Sequence, residues 1–173
     1  MERTLTALVN DRPGVLARVA GLFSRRGYNI ASITVGAAEE PGFSRMTIVS
    51  AGDDVVASQM VAQLLKLVDV IEVRDISKEK VVRRELALVK VKTTPTTRLE
   101  ITHILDPFRV SIVDVGHYSI TVEVTGDTEK IDALIALLHP YGVVQIARTG
   151  VTALVRSGAA LDGQNHLSDE KNA

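Results

Sequence analysis

One block of hydrophobic periodicity occurs twice in this chain, and the repetition narrows the possible folds more than any single motif does. Thr4-Leu5-Thr6-Ala7-Leu8-Val9 alternates and is rich in Thr and Val, which predicts a strand. The turn residues Asn10-Asp11-Arg12-Pro13-Gly14 come next, then Leu16, Val19, Leu22 and Phe23 at helical spacing, with Gly27 as a left-handed C-terminal cap. Residues 29–35 alternate again and set Ala31, Ile33 and Val35 on one face. Beyond Pro41-Gly42, residues 44–50 form a strand with Met46 and Ile48 inward. Gly52-Asp53-Asp54 opens a helix carrying Ala57, Met60, Val61, Leu64 and Leu65, and residues 70–76 make a fourth strand. The order is βαββαβ.

The second half repeats it. Residues 86–92 alternate, and Thr96 or Thr97 caps a helix bearing Ile101, Ile104, Leu105 and Phe108. Strands come next at 110–115 and 118–125, the latter with Tyr118, Ile120, Val122 and Val124 on one face. Gly126-Asp127 starts a helix with Ile131, Leu134, Ile135 and Leu138, ended by Pro140 and Gly142, and residues 143–148 form the last strand. Gly52 and Gly126 stand 74 residues apart, and the same offset carries Ala57, Met60, Val61 and Leu64 onto Ile131, Leu134, Ile135 and Leu138. The expectation is an α+β chain of two domains, residues 1–77 and 84–156. The charged stretch 77–85 joins them, and a small polar tail over 157–173 is expected to be disordered.

A βαββαβ unit obeys right-handed crossover as a sheet of order 4-1-3-2, both helices on one face, so strands 2 and 4 are edges. Residues 29–38 carry no charge and no Pro. An edge strand without Lys, Pro or a bulge invites pairing. Either the C-terminal domain covers it or a second copy pairs with it about a two-fold axis; the second arrangement is favoured.

Chemistry concentrates at Asp11-Arg12-Pro13-Gly14-Val15-Leu16. A glycine at a helix start leaves backbone N–H groups open to an anion, and Asp11 across the turn can accept from an ammonium, a pairing that suits a free amino acid. The same residues also make an ordinary helix start, and spacing alone favours that plainer reading. Asn29 offers a donor and an acceptor at the head of the uncharged edge strand. It is either a turn residue or, if two edges pair, a group brought toward the helix start of the other copy.

Composition removes most other functions. The 173 residues hold 20 Lys+Arg, 21 Asp+Glu and four His, a net charge of −1 with no basic handle for nucleic acid. Three Tyr, three Phe and no Trp leave no base-stacking platform. There is no Cys, hence no disulfide or thiolate chemistry, which fits the cytoplasm. The start at Met1 has no leader pattern, and uncharged runs fall short of the ~20 residues that span a bilayer. His103, His117, His139 and His166 lie on different predicted elements without metal-site clustering, and no Gly-x-Ser-x-Gly or glycine-rich phosphate loop occurs.

The segment Asp11-Arg12-Pro13-Gly14-Val15-Leu16, with Gly21-Leu22-Phe23-Ser24-Arg25-Arg26-Gly27-Tyr28-Asn29-Ile30, resembles the small, regulatory subunits of acetolactate synthase (acetohydroxyacid synthase). Ser44-Arg45-Met46-Thr47, Lys66-Leu67-Val68-Asp69-Val70, Arg84-Glu85-Leu86 and Ala147-Arg148-Thr149-Gly150 extend the resemblance to about residue 156. It implies an amino-acid-binding ACT domain followed by a ferredoxin-like domain. It also implies a homodimer formed through the ACT domains, with valine or a related branched-chain amino acid at their interface. On that basis Asp11, Gly14, Val15 and Leu16 of one chain and Asn29 and Ile30 of the other form the valine site, with backbone contacts to the carboxylate at Gly14 and Val15. The chain itself is then non-catalytic and holds no cofactor or metal. It would activate, and impose feedback inhibition on, a separate catalytic subunit carrying thiamine diphosphate, Mg²⁺ and FAD. A stand-alone ACT-domain sensor acting on another target is the alternative. Asp11 departs from the Asn of many such subunits, and Thr94-Pro95-Thr96-Thr97-Arg98-Leu99 lacks Asp-x-x-Gly, so no second amino-acid site is expected.

Overall fold

The computed structural model describes residues 1–157. The order is β1 (Glu2–Asn10), α1 (Val15–Arg26), β2 (Ile30–Ala37), β3 (Phe43–Ala51), α2 (Asp54–Leu64) and β4 (Val70–Asp75). It continues with β5 (Val81–Lys92), α3 (Pro95–Leu105), a 3-10 turn (Asp106–Phe108), β6 (Ser111–Val115), β7 (Ser119–Gly126), α4 (Thr128–Gly142), β8 (Val143–Arg148) and β9 (Thr152–Val155). The described chain divides into two units: residues 1–82 with 153–157, and residues 83–152.

In the first unit the sheet runs β2-β3-β1-β4, all pairs antiparallel, which is the topology expected. Period-two alternation sends Leu5, Ala7 and Val9 of β1 and Met46 and Ile48 of β3 to one face. There they meet Val15, Val19, Leu22 and Phe23 of α1 and Met60 and Leu64 of α2. Each of the larger side chains, taken fully from water, stabilises the fold by roughly 1.5–3 kcal/mol. Gly27, at φ 70°, caps α1 by donating to the carbonyl of Ser24, while Tyr28 N–H donates to the carbonyl of Phe23.

The second unit repeats this as β6-β7-β5-β8 around Val89, Ile101, Ile120, Val122, Ile131, Leu134 and Leu138. The repeat extends to its irregularities. Ala31 and Val113 are extra residues in the second strand of each unit, and Ile71 and Val144 in the fourth.

These bulges correct the expected face of β2. Because Ala31 is inserted, Ile30 and Ile33 pack toward the core while Ala31 is exposed and Val35 is half-exposed. The edge is therefore not free of bulges; its regular ladder starts at Ser32. Other boundaries move for local reasons. β5 begins inside the charged stretch, because Glu85 there is buried against Arg148 rather than solvated. Thr94, not Thr96 or Thr97, caps α3, exchanging hydrogen bonds with Thr97, with Pro95 in the first turn. Leu65 is a half-exposed C-cap, and Tyr118 lies before β7 and is exposed. Pro140 sits inside the last turn of α4, which runs on to Gly142 at φ 93°. The tail, beyond Ser157, lies outside the described residues. No helix among the described residues is long and apolar enough to cross a membrane.

Candidate functional site

The loop from β1 into α1 is held by its own backbone. Asn10 N–H donates to the Asp69 carbonyl (2.8 Å), Asp11 N–H to Gly42 (2.8 Å) and Arg12 N–H to Asn10 (3.0 Å). Gly14 then turns the chain at φ 86°, ψ −6°, a left-handed conformation that costs other residues roughly 1–2 kcal/mol. Glycine at this position is therefore required by the turn itself, apart from any ligand.

What distinguishes the start of α1 is the cap it lacks. Asp53 Oδ1 accepts from Val56 N–H at α2, Thr94 from Thr97 at α3, and Asp127 from Lys130 at α4. Gly14 brings no side chain, so Val15 N–H reaches only the Arg12 carbonyl at 3.3 Å. The next amides, of Leu16 and Ala17, meet no acceptor among the described residues. They are the donors that a bound anion satisfies at a helix N-terminus. Asp11 is exposed and Leu16 half-exposed, whereas the Val15 side chain is buried in the core.

Sequence reasoning does not single out Arg18 and Asp69. The Arg18 guanidinium lies over Gly14, where a Cβ would come within 3.1 Å of Nη1. Its Nη2 forms an ion pair with Oδ2 of Asp69, a side chain only 8% exposed, while Arg18 is 48% exposed. An isolated acid between Val68 and Val70, at the head of a buried strand, is the available signal: such a carboxylate needs a cation.

Asn29 and Ile30 lie at the other end of α1. The helix has 12 residues and is therefore about 18 Å long. Phe23 and Tyr28 stack edge to face at 5.7 Å, and the Asn29 carbonyl accepts from Ser50 Oγ at 2.6 Å, so the head of β2 is fixed. Within one chain, then, Asp11–Leu16 form one cluster and Asn29–Ile30 another, a helix length apart.

The corresponding helix start in the second unit is capped. The Thr94/Thr97 capping box consumes the Thr94 and Thr97 amides, Pro95 has none, and Arg98 Nη2 donates to the carbonyls of Gly116 (2.7 Å) and His117 (3.3 Å). No group of three or more His, Asp or Glu among the described residues is placed to hold a metal ion.

Known protein families match the two halves of the chain separately. Residues 5–72 match the family described as "AHAS small subunit-like ACT domain", and residues 84–157 match "Small subunit of acetolactate synthase". The acetolactate synthase small subunit of Bacillus subtilis is 52% identical over 159 residues, covering 90% of this chain and 91% of that one. That of Mycolicibacterium smegmatis is 48% identical over 153 residues, covering 88% and 90%. The crystal structure of the acetolactate synthase small subunit from Thermotoga maritima superposes with a TM-score of 0.84 at 42% identity, covering 90% of this chain and 98% of that one. By sequence and by fold, the chain belongs to the acetolactate synthase small-subunit family.

Proposed function

We propose that this chain, as the regulatory partner of a separate catalytic subunit, binds valine or a related branched-chain amino acid and transmits its presence as feedback inhibition. The ligand carboxylate is received by the uncapped start of α1 and its ammonium by Asp11. Asn29 and Ile30 of a second copy complete the pocket where two β2 edges meet. The observation that carries this reading is the open Leu16 and Ala17 amides behind Gly14. The 12-residue helix between Gly14 and Asn29 supports a pocket shared between two chains, since one chain cannot close it. The second unit, whose helix start is capped, serves the catalytic partner and not the ligand. Thiamine diphosphate, Mg²⁺ and FAD belong to that partner.

The experiment is an acetolactate assay on the catalytic subunit from the same source, with and without this chain and with and without valine. The chain alone is expected to make no acetolactate from pyruvate. Added to the partner it raises activity, and valine lowers the activity of the pair. Because coupling is reciprocal, calorimetric valine affinity changes on partner binding by the same factor as partner affinity changes on valine binding, typically worth about 1–3 kcal/mol. Unchanged activity with and without the chain, or a pair indifferent to every branched-chain amino acid, contradicts the reading.

A further inference from the structure

We propose that Arg18 is the residue that makes the amino-acid site demand a free carboxylate, and that Asp69 positions it. The inference rests on the amino-acid-site reading and adds the group that sets ligand class.

Arg18 stands one helical turn into α1, its N–H donating to the Gly14 carbonyl at 3.0 Å. Its side chain folds back so that Nη1 lies beside the bare Cα of Gly14. A guanidinium carries five N–H donors in a planar fork. Asp69 engages only Nη2; Nη1 and Nε meet no acceptor among the described residues. Asp69 is itself fixed, buried and with its carbonyl accepting from Asn10 N–H. One face of the cation is therefore tied to a rigid carboxylate, while the other is presented, half-exposed, beside Gly14 at the helix start whose Leu16 and Ala17 amides are unsatisfied. A ligand carboxylate placed there receives charge-assisted hydrogen bonds on one side and backbone N–H donors on the other. An ester or amide of the same amino acid keeps the side chain and ammonium and loses the charge that Arg18 recognises.

The test is calorimetric titration of the full chain with L-valine and with L-valinamide. The intact chain is expected to prefer valine by roughly tenfold or more, the scale of a charge-assisted contact. Arg18→Gln should erase that preference by weakening valine and leaving valinamide unchanged, and Arg18→Lys should restore part of it. Asp69→Asn should lower the preference without removing it, since the cation remains but is no longer held. Retention of the full preference in Arg18→Gln overturns the inference. Equal loss of both compounds in Arg18→Gln and Arg18→Lys also overturns it, because it marks a purely structural residue. If the unaltered chain binds neither compound, the amino-acid site itself falls, and the role of Arg18 with it.

Discussion

The guanidinium of Arg18 occupies the space above Gly14 so closely that an added Cβ would lie 3.1 Å from Nη1. Any side chain at position 14 therefore meets two penalties, a left-handed backbone and a displaced cation. Gly14→Ala is expected to cost about 1–2 kcal/mol of stability, read from urea unfolding. Gly14→Asp should go further by pairing with Arg18 and repelling a carboxylate ligand. In the two-subunit assay it is expected to abolish valine inhibition while activation survives; retained inhibition counts against the site.

A second prediction concerns the ferredoxin-like unit. Glu85, whose side chain is 5% exposed, accepts from Arg148 Nε (2.6 Å) and Nη2 (2.9 Å), and Arg148 Nη1 donates to exposed Asp132 (2.7 Å). Glu85 raises the guanidinium pKa further above its already high value, so Arg148 stays charged at any working pH. Arg148→Ala strands a buried carboxylate and is expected to cost about 3 kcal/mol, at the low end for a buried pair because Arg148 is partly exposed. Asp132→Ala should cost less than about 1 kcal/mol. Similar losses for the two variants would refute this ranking.

Acid sensitivity has a local source at Asp54. Lys78 first, and Arg3 second, hold its carboxyl below the ordinary value of 3.8 by hydrogen bonding to it. A depressed carboxyl pKa stabilises the fold above the unfolded value and loses that contribution as pH falls through the folded one. Asp54→Asn should thus flatten the stability curve below about pH 4 and leave its shape between about pH 6 and 8 unchanged. An unaltered acid limb in thermal melts would argue against the pairing.

The β2 edge yields a fourth prediction. Val35 is 44% exposed on the helix-facing side of the regular part of this strand. If two copies pair there, Val35→Glu brings like charges together across the two-fold and should convert the dimer to monomer in sedimentation equilibrium. Valine binding should disappear with it. A monomeric intact chain, or a dimer unmoved by the change, contradicts pairing through β2.

Much of this architecture is legible in the sequence because it rests on period. Met46, Ile48, Met60, Leu64, Ile131 and Leu138 alternate or recur as a buried stripe must, and each is fully buried. The misreadings fall where one residue breaks the period. Ala31 and Val113 are small or β-branched residues indistinguishable in sequence from their strand neighbours, yet each is a bulge that shifts the face of the residues after it. The charges within 77–85 suggest a linker because a solvated run and a paired one read alike until Arg148 is placed against Glu85. The site is legible in part. Gly14 announces a backbone opening, but the Arg18–Asp69 pair joins residues 51 positions apart, and no local pattern records it.

The claim that two chains share each pocket is tested most directly by mixing two inactive chains. Gly14→Asp damages the helix start and Asn29→Ala the opposite end of α1, so neither homodimer should bind valine. In a mixed dimer one pocket takes both lesions and the other takes neither, so calorimetry on the refolded mixture should recover about one site per mixed dimer with the affinity of the unaltered protein. No recovered binding, once mixed dimers are shown to form, would mean that the pocket is not built across two copies.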